Sequence, residues 1–221
     1  MNIKVIVELL GMPGSGKTYY QKKILKFLGS NACSNDFTKF NKLKKIYFFI
    51  LFFIEYPIFT IKSLIIFFNN FKNKKIDKKH FYYFYNEAAY RGYFNSRHSK
   101  KNYLINSEGF FYRTAYLFNN IIDKNLNNYL KFIPKVNILI LVKTNKKKVF
   151  QRIKKRKKGY NYNKLDEKNY DKKEVFLKNL IKIKKLKKIC NLVIDNNNSK
   201  YEKKNLSKII LKIKNNENFT Y

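Results

Sequence analysis

Ile3-Lys4-Val5-Ile6-Val7-Glu8-Leu9-Leu10 runs straight into Gly11-Met12-Pro13-Gly14-Ser15-Gly16-Lys17-Thr18. The first eight residues read as a buried strand, and the residues from Lys17 onward as a helix carrying apolar Ile24, Leu25, Phe27 and Leu28. The join between them has the spacing G-x-x-x-x-G-K-T. Strand, glycine loop and helix are what anion binding requires. Glycines let backbone N–H groups curl around a phosphate, the helix N-terminus adds partial positive charge, and Lys17 reaches the outer phosphates. Thr18 offers the hydroxyl that ligates Mg²⁺ in such loops. Glycine is scarce, 7 in 221 residues, yet Gly11, Gly14 and Gly16 all fall here. The sequence therefore implies a nucleoside triphosphate, with ATP and Mg²⁺ as the expected cofactors.

The chain's length suits one domain with a substantial core. The formal charge of +35 invites a nucleic-acid reading. However, lysine, asparagine, isoleucine, phenylalanine and tyrosine are inflated together, and tryptophan is absent. Drift toward A+T-rich codons produces that combination and places lysine wherever a solvated residue is tolerated. The lysines lie along nearly every polar face, so no specific nucleic-acid partner is expected. The same drift makes arginine informative. Only Arg91, Arg97, Arg113, Arg152 and Arg156 are arginine, and a planar bidentate fork is what phosphate and carboxylate recognition need.

Cys33 and Cys190 have neither metal-binding nor redox spacing, and two scattered thiols suit a reducing cytoplasm. His80 and His98 form no ligand cluster. No signal peptide is expected, because the N-terminus enters the first strand.

The apolar run Ile46–Phe68, IYFFILFFIEYPIFTIKSLIIFF, is long enough to span a bilayer. Its sixteen Ile, Leu and Phe residues at about −0.4 kcal/mol each are offset by Glu55 and Lys62 at about +3 each. The sum is near zero and settles nothing. Topology is more decisive: a single crossing would separate the strand at Tyr103–Asn106 from the first strand, whose sheet it should join. Two helices broken at Pro57 are expected instead, leaving peripheral membrane contact open.

Further along, 78–97 reads as an aromatic helix, 102–106 as a short strand, and 110 to about 127 as one helix. Residues 136–142 form the strongest later strand. Helices are expected over 146–157 and 172–188, a polar loop over 159–171, a last strand at 191–194 and a closing helix from Tyr201. Strands alternating with helices indicate a three-layer α/β fold. The reading is of a single domain, 1–221. Within it, 1–38 is the phosphate-loop unit, 39–100 a helical acceptor region, 101–145 the central strands, 146–172 a lid, and 173–221 the last strand and helices.

Two further places can complete a site. Ser107-Glu108-Gly109 sits at the carboxyl end of a strand, where open α/β sheets bind ligands. Glu108 there can orient Mg²⁺ through water or accept a proton from an acceptor hydroxyl, although the same pair also suits helix capping. Arg152 and Arg156, four apart on one helical face, can close over a transferring phosphoryl group. Glu8 stands between a site role and a core-edge role.

The stretches VELLGMPGSGKT, LINSEGFFYR, LILVKTNKKKVFQRIKKRKKG and VIDNNNS, with the helical region broken at Tyr56-Pro57, resemble the P-loop kinase-like proteins of the thymidylate kinase and deoxynucleoside kinase type. They look closest to the uncharacterised branch often associated with cell-surface polysaccharide genes. The resemblance implies a P-loop NTPase fold with a five-stranded parallel sheet, a helical insertion after the first helix and an arginine-bearing lid. It makes Arg152 and Arg156 the lid arginines and Glu108 the acidic residue after the third strand. The loop near Asp195–Asn198 would lie close to adenine. Ser107 departs from the Asp-Glu-Gly that relatives commonly carry. The expectation is an ATP-dependent phosphotransferase with catalytic Lys17, Glu108, Arg152 and Arg156, acting on a small nucleoside, nucleotide or sugar-like acceptor. The alternative is a nucleotide-dependent binding or regulatory protein with little kinase activity.

Overall fold

The computed structural model describes residues 4–34, 40–72, 78–96, 99–118, 121–155, 167–183 and 189–217. Among them, five strands form one parallel sheet in the order β2-β3-β1-β4-β5. The strands are β1 (Val5–Leu10), β2 (Ala32–Cys33), β3 (Tyr103–Asn106), β4 (Ile138–Lys143) and β5 (Cys190–Asp195). Every residue of β1 is buried, as a central strand covered on both faces requires. Val5 pairs with Tyr103 of β3 and Val7 with Ile138 of β4, so β1 carries its loop to the middle of the sheet's carboxyl edge.

Strand alternation sends the apolar side chains to two cores. Val5, Val7, Leu9 and Ile140 pack against Tyr20 and Ile24 of α1 (Lys17–Leu28) and Ile209 and Ile213 of α9 (Glu202–Glu217). Ile6, Leu10, Leu104 and Leu139 face the opposite layer. That layer comprises α4 (Lys78–Asn95), α5 (Phe110–Leu117), α6 (Lys124–Leu130), α7 (Lys146–Lys154) and α8 (Glu167–Leu180). The fold is three-layer α/β, as the sequence implies.

Outside this layer, α2 (Lys42–Glu55) and α3 (Pro57–Lys72) seal a third core of interlocked aromatic rings, Phe52, Phe59, Phe67, Phe84 and Phe110. Asn41 caps α2, accepting from the Lys44 N–H at 2.9 Å. Pro57 opens α3, where its missing N–H is harmless, and the chain turns through 112° between the two helices. No described helix is long and apolar enough to cross a membrane.

Several boundaries differ from the sequence reading, among them the end of the helix expected over 172–188, since α8 stops at Leu180. The helix expected from Phe110 to about Asn127 is two helices, because Asp123 caps α6 by accepting from the Leu126 N–H at 2.7 Å. The expected loop over 159–171 ends earlier, since α8 begins at Glu167; residues 156–166 lie outside the described residues. The fifth strand, Ala32–Cys33, is two residues long at a sheet edge and has no readable alternation.

Helix α4 meets α2 so closely that a Cβ at Gly92 would run into the backbone carbonyl oxygen of Phe48 and reach 3.1 Å from the Phe52 nitrogen. Backbone on both sides leaves no side chain to yield. Gly92→Ala should destabilise the protein by about 1–3 kcal/mol. An unchanged urea midpoint would show that α2 and α4 do not hold each other at this spacing.

Candidate functional site

The loop between β1 and α1 takes the backbone path that its glycines permit. Gly11, Gly14 and Gly16 have φ of 147°, 83° and 102°, values that side-chain-bearing residues rarely adopt. Space forbids side chains too: a Cβ on Gly11 would sit 2.6 Å from the Val142 carbonyl oxygen, and one on Gly16 would strike the Asn196 amide. Met12, Pro13 and Ser15 are buried with the loop. Lys17 starts α1, is buried, and donates from Nζ to the carbonyls of Gly11 at 2.7 Å and Met12 at 3.1 Å. Its ammonium also lies 4.8 Å from the centre of the Tyr112 ring.

Neighbouring elements pin the loop through one atom. The Ser15 carbonyl oxygen accepts from Thr144 Oγ1 at 2.8 Å and Asn196 Nδ2 at 2.7 Å, with Arg152 Nη1 at 3.4 Å. Arg152 also donates to the Gly14 carbonyl at 3.2 Å. Asn145 caps α7 by accepting from Lys148 N–H at 2.9 Å, and so sets the helix that presents Arg152. The helix-face reasoning thus places Arg152 on the loop. Arg156 and Arg97 lie outside the described residues.

Outward from the loop opens a cleft of about 650 Å³, lined by Thr18, Lys148, Arg152, Lys155, Asn196 and Asn197 among others. That volume suits a nucleotide-sized ligand. Thr18 is exposed within it. Among the described residues, no group of three His, Cys, Asp or Glu side chains converges as a metal cage. The Thr18 hydroxyl, exposed in the cleft, is an oxygen donor of the kind that can sit beside a magnesium ion held by a nucleotide's own oxygens. Asn196 and Asn197, in the turn after β5, line this same cleft.

A second polar group gathers on the inner side of Lys17. Lys173 of α8 is 5% exposed, donates to Tyr112 Oη at 3.0 Å, and lies 4.3 and 3.7 Å from the Tyr112 and Tyr116 ring centres. Burial first, then the charges of Lys17 and Arg113, hold its pKa well below the usual lysine range, while Glu108 opposes that shift. Lys17, Arg113 and Glu108 thus all act electrostatically on one buried lysine. Glu108 itself is exposed at the carboxyl end of β3. Arg152 lines the outer cleft, whereas the charge of Glu108 acts on Lys173. Arg113 is buried, with its guanidinium 5.0 Å from the Tyr83 ring centre. Lys173 gives no signal in the sequence, because one lysine in a lysine-rich chain is indistinguishable until α8 packs onto α5.

Glu8 proves to be buried machinery. Gly109, the residue before α5, has no side chain to cap that helix, and Glu8 reaches across from β1 to do so. Its Oε1 accepts from the Tyr112 N–H at 2.8 Å. A Cβ at Gly109 would stand 2.6 Å from the Glu8 carboxyl carbon, so a larger residue there would have to displace the Glu8 side chain. Desolvation pushes the Glu8 pKa up to about 7 from 4.5, reinforced by Glu87 and opposed by the Tyr112 N–H and Arg91. Arg91, 1% exposed, donates to the Lys135 carbonyl at 3.2 Å. All three described arginines are drawn in from solvent, two into this layer and one onto the loop.

Comparison with solved structures gives the same architecture. Deoxyadenosine kinase from M. mycoides with bound dATP matches with a TM-score of 0.52 at 16% identity, over 95% of this chain and 100% of that one. The same enzyme with bound dCTP matches at 0.50 and 16%, over 96% and 100%. Thymidylate kinase from Ehrlichia chaffeensis matches at 0.52 and 13%, over 95% and 98%. The chain therefore has the P-loop fold of the deoxynucleoside and thymidylate kinases. No family model matches the chain, and no curated protein matches its sequence.

The raised Glu8 pKa has a definite sign. Below 4.5 the folded and unfolded chains both hold the proton; between 4.5 and about 7 only the folded chain does, so stability falls as pH rises through that window. The full penalty is about 3 kcal/mol. Glu8→Gln keeps the acceptor for the Tyr112 N–H and removes the titration. Urea midpoints at the two ends of the window should converge in the variant relative to the parent. Parallel pH profiles would show that Glu8 is not the group responsible.

Proposed function

We propose that this protein is an ATP- and Mg²⁺-dependent phosphotransferase acting on a small acceptor, a nucleoside, nucleotide or sugar-like molecule. The observation that carries the reading is the two-sidedness of the phosphate loop. One side opens to a cationic cleft with Thr18 and Arg152; the other meets buried Lys17, Lys173 and Arg113, with exposed Glu108 acting on Lys173 through its charge. A donor and an acceptor approaching from opposite sides would meet at Lys17. The likeness in fold to kinases bound to dATP and dCTP supports a nucleoside or nucleotide acceptor.

In this reading the loop N–H groups and Lys17 bind the phosphates of ATP. Thr18 would hold the magnesium ion, which neutralises charge on the phosphate oxygens when bound. An acceptor oxygen bonds to the γ-phosphorus as the bond from that phosphorus to ADP breaks, and the acceptor's proton leaves to a base. Glu108, just beyond the carboxyl end of β3, is proposed to take that proton or to assist in holding the metal. Arg152 presents its fork to the moving phosphoryl oxygens, and Arg156 is proposed as its companion in the lid.

Ser107 favours the second reading, a nucleotide-dependent binding or regulatory protein with little turnover, because it removes a carboxylate from the end of β3. Turnover separates the two. Mg-ATP should be consumed faster when pools of nucleosides, nucleotides or sugars are added, and Lys17→Ala should abolish the consumption. Tight ATP binding with no acceptor-stimulated turnover across that panel would establish the second reading. A finer test concerns the fork of Arg152. Arg152→Lys keeps the charge but should lower kcat/KM on the order of 100-fold. Lys155→Ala in the same cleft should alter it little, and equal effects would mean that charge alone matters.

A further inference from the structure

The outward faces of α2 and α3 are apolar where solvent-facing helices carry polar side chains. On α2, Leu43, Ile46, Tyr47, Ile50 and Ile54 follow a helical stripe, and all are about half exposed or more. On α3, Ile58, Ile61, Ile65 and Phe68 continue it, each 47–66% exposed. Ten of the twenty large apolar side chains exposed among the described residues lie between 43 and 68. The opposite faces of both helices are already satisfied, since Phe52, Phe59 and Phe67 seal the aromatic core. Both stripes therefore point away from one common core.

What such a face would contact is decided by charge. Within 41–72, Glu55 is the sole acidic residue, and its carboxylate accepts from Asn95 Nδ2 at 2.9 Å. Lys42 and Lys44 stand exposed at the start of α2, and Lys72 at the end of α3. A second copy of this chain would bring a charge of +35 against +35. An anionic lipid surface meets the apolar stripe with acyl chains and the flanking lysines with headgroups. Neither helix alone is long and apolar enough to cross. The pair together has the length and composition, but the 112° turn between them and the aromatic core sealed by their inner faces suit helices lying in the interface.

We propose that the exposed faces of α2 and α3 seat the protein peripherally on an anionic membrane surface, with the apolar stripe inserted among the headgroups. This stands apart from the phosphotransfer reading and survives its failure. Charge alone will attract so basic a chain to anionic vesicles, so the experiment must read the stripe itself. The chain has no tryptophan, and Ile54→Trp places a single fluorescent reporter on the stripe. Leu211→Trp, exposed on α9 away from this face, is the control. The vesicles are phosphatidylglycerol and phosphatidylcholine in equal parts. On them, the emission of the Ile54→Trp protein should shift to the blue and be quenched at least twofold by lipid brominated in its acyl chains. The Leu211→Trp protein should show neither change. A triple variant, Ile50→Ser, Ile54→Ser and Ile58→Ser, keeps every charge. It should be released by a high-salt wash that leaves at least ten times more of the parent bound. Vesicle-bound Ile54→Trp protein with unshifted, unquenched emission would overturn the proposal. So would equal retention of the triple variant and the parent. So would a blue shift of the Ile54→Trp protein without lipid that tracks dimer formation in sedimentation, which would make the face a contact between copies.

Discussion

The Ser15 carbonyl oxygen is where the architecture converges. Thr144 comes to it from the end of β4, Asn196 from the end of β5, and Arg152 from α7. None of the three lies close to Ser15 in the chain, so these contacts exist only when the sheet and α7 are assembled. The glycines permit the loop conformation without selecting it. Selection comes from these donors, which hold the Ser15 carbonyl, with that of Gly14, against the neighbouring elements, while the Gly11 and Met12 carbonyls accept from Lys17.

A comparable economy operates one layer away. Helix α5 starts at a glycine that cannot cap it, and the missing acceptor is supplied by Glu8 from the central strand. Tying α5 to β1 in this way orients Tyr112, whose ring and hydroxyl hold Lys17 and Lys173 together. A carboxyl enclosed by apolar surface costs stability when ionised, and Glu8 keeps its proton to about pH 7 as a result. The cost falls on folding, while the benefit is a rigid floor beneath the loop lysine.

What the sequence reveals follows from how local each signal is. The strand, loop and first helix are legible because period, glycine spacing and the lysine are contiguous in the chain. The break at Pro57 is legible because proline acts on its own backbone. Ala32–Cys33 is not, since two residues at an edge show no alternation. The split between α5 and α6 escapes a reading by period because it turns on a single cap at Asp123. Lys173, Tyr112 and Glu8 cannot be grouped from sequence, because only the packing of α8 and α5 onto β1 unites them. Glu108 does stand just beyond the end of β3, as its position implies.

Compositional drift explains why arginine keeps its information while lysine loses it. Lysine spread over solvated faces says little about any one position. At Arg91, Arg113 and Arg152 the guanidinium is buried or bonded to backbone carbonyls, so each has a definite place in the packing that a solvated lysine lacks. The same argument applies to isoleucine and phenylalanine. Drift can add them, but solubility selects against an uninterrupted apolar stripe on a solvent face. Where drift alone governs, apolar residues should scatter as the lysines do. Their concentration on the outward sides of α2 and α3, opposite a core those helices already complete, therefore calls for a contact that composition does not supply.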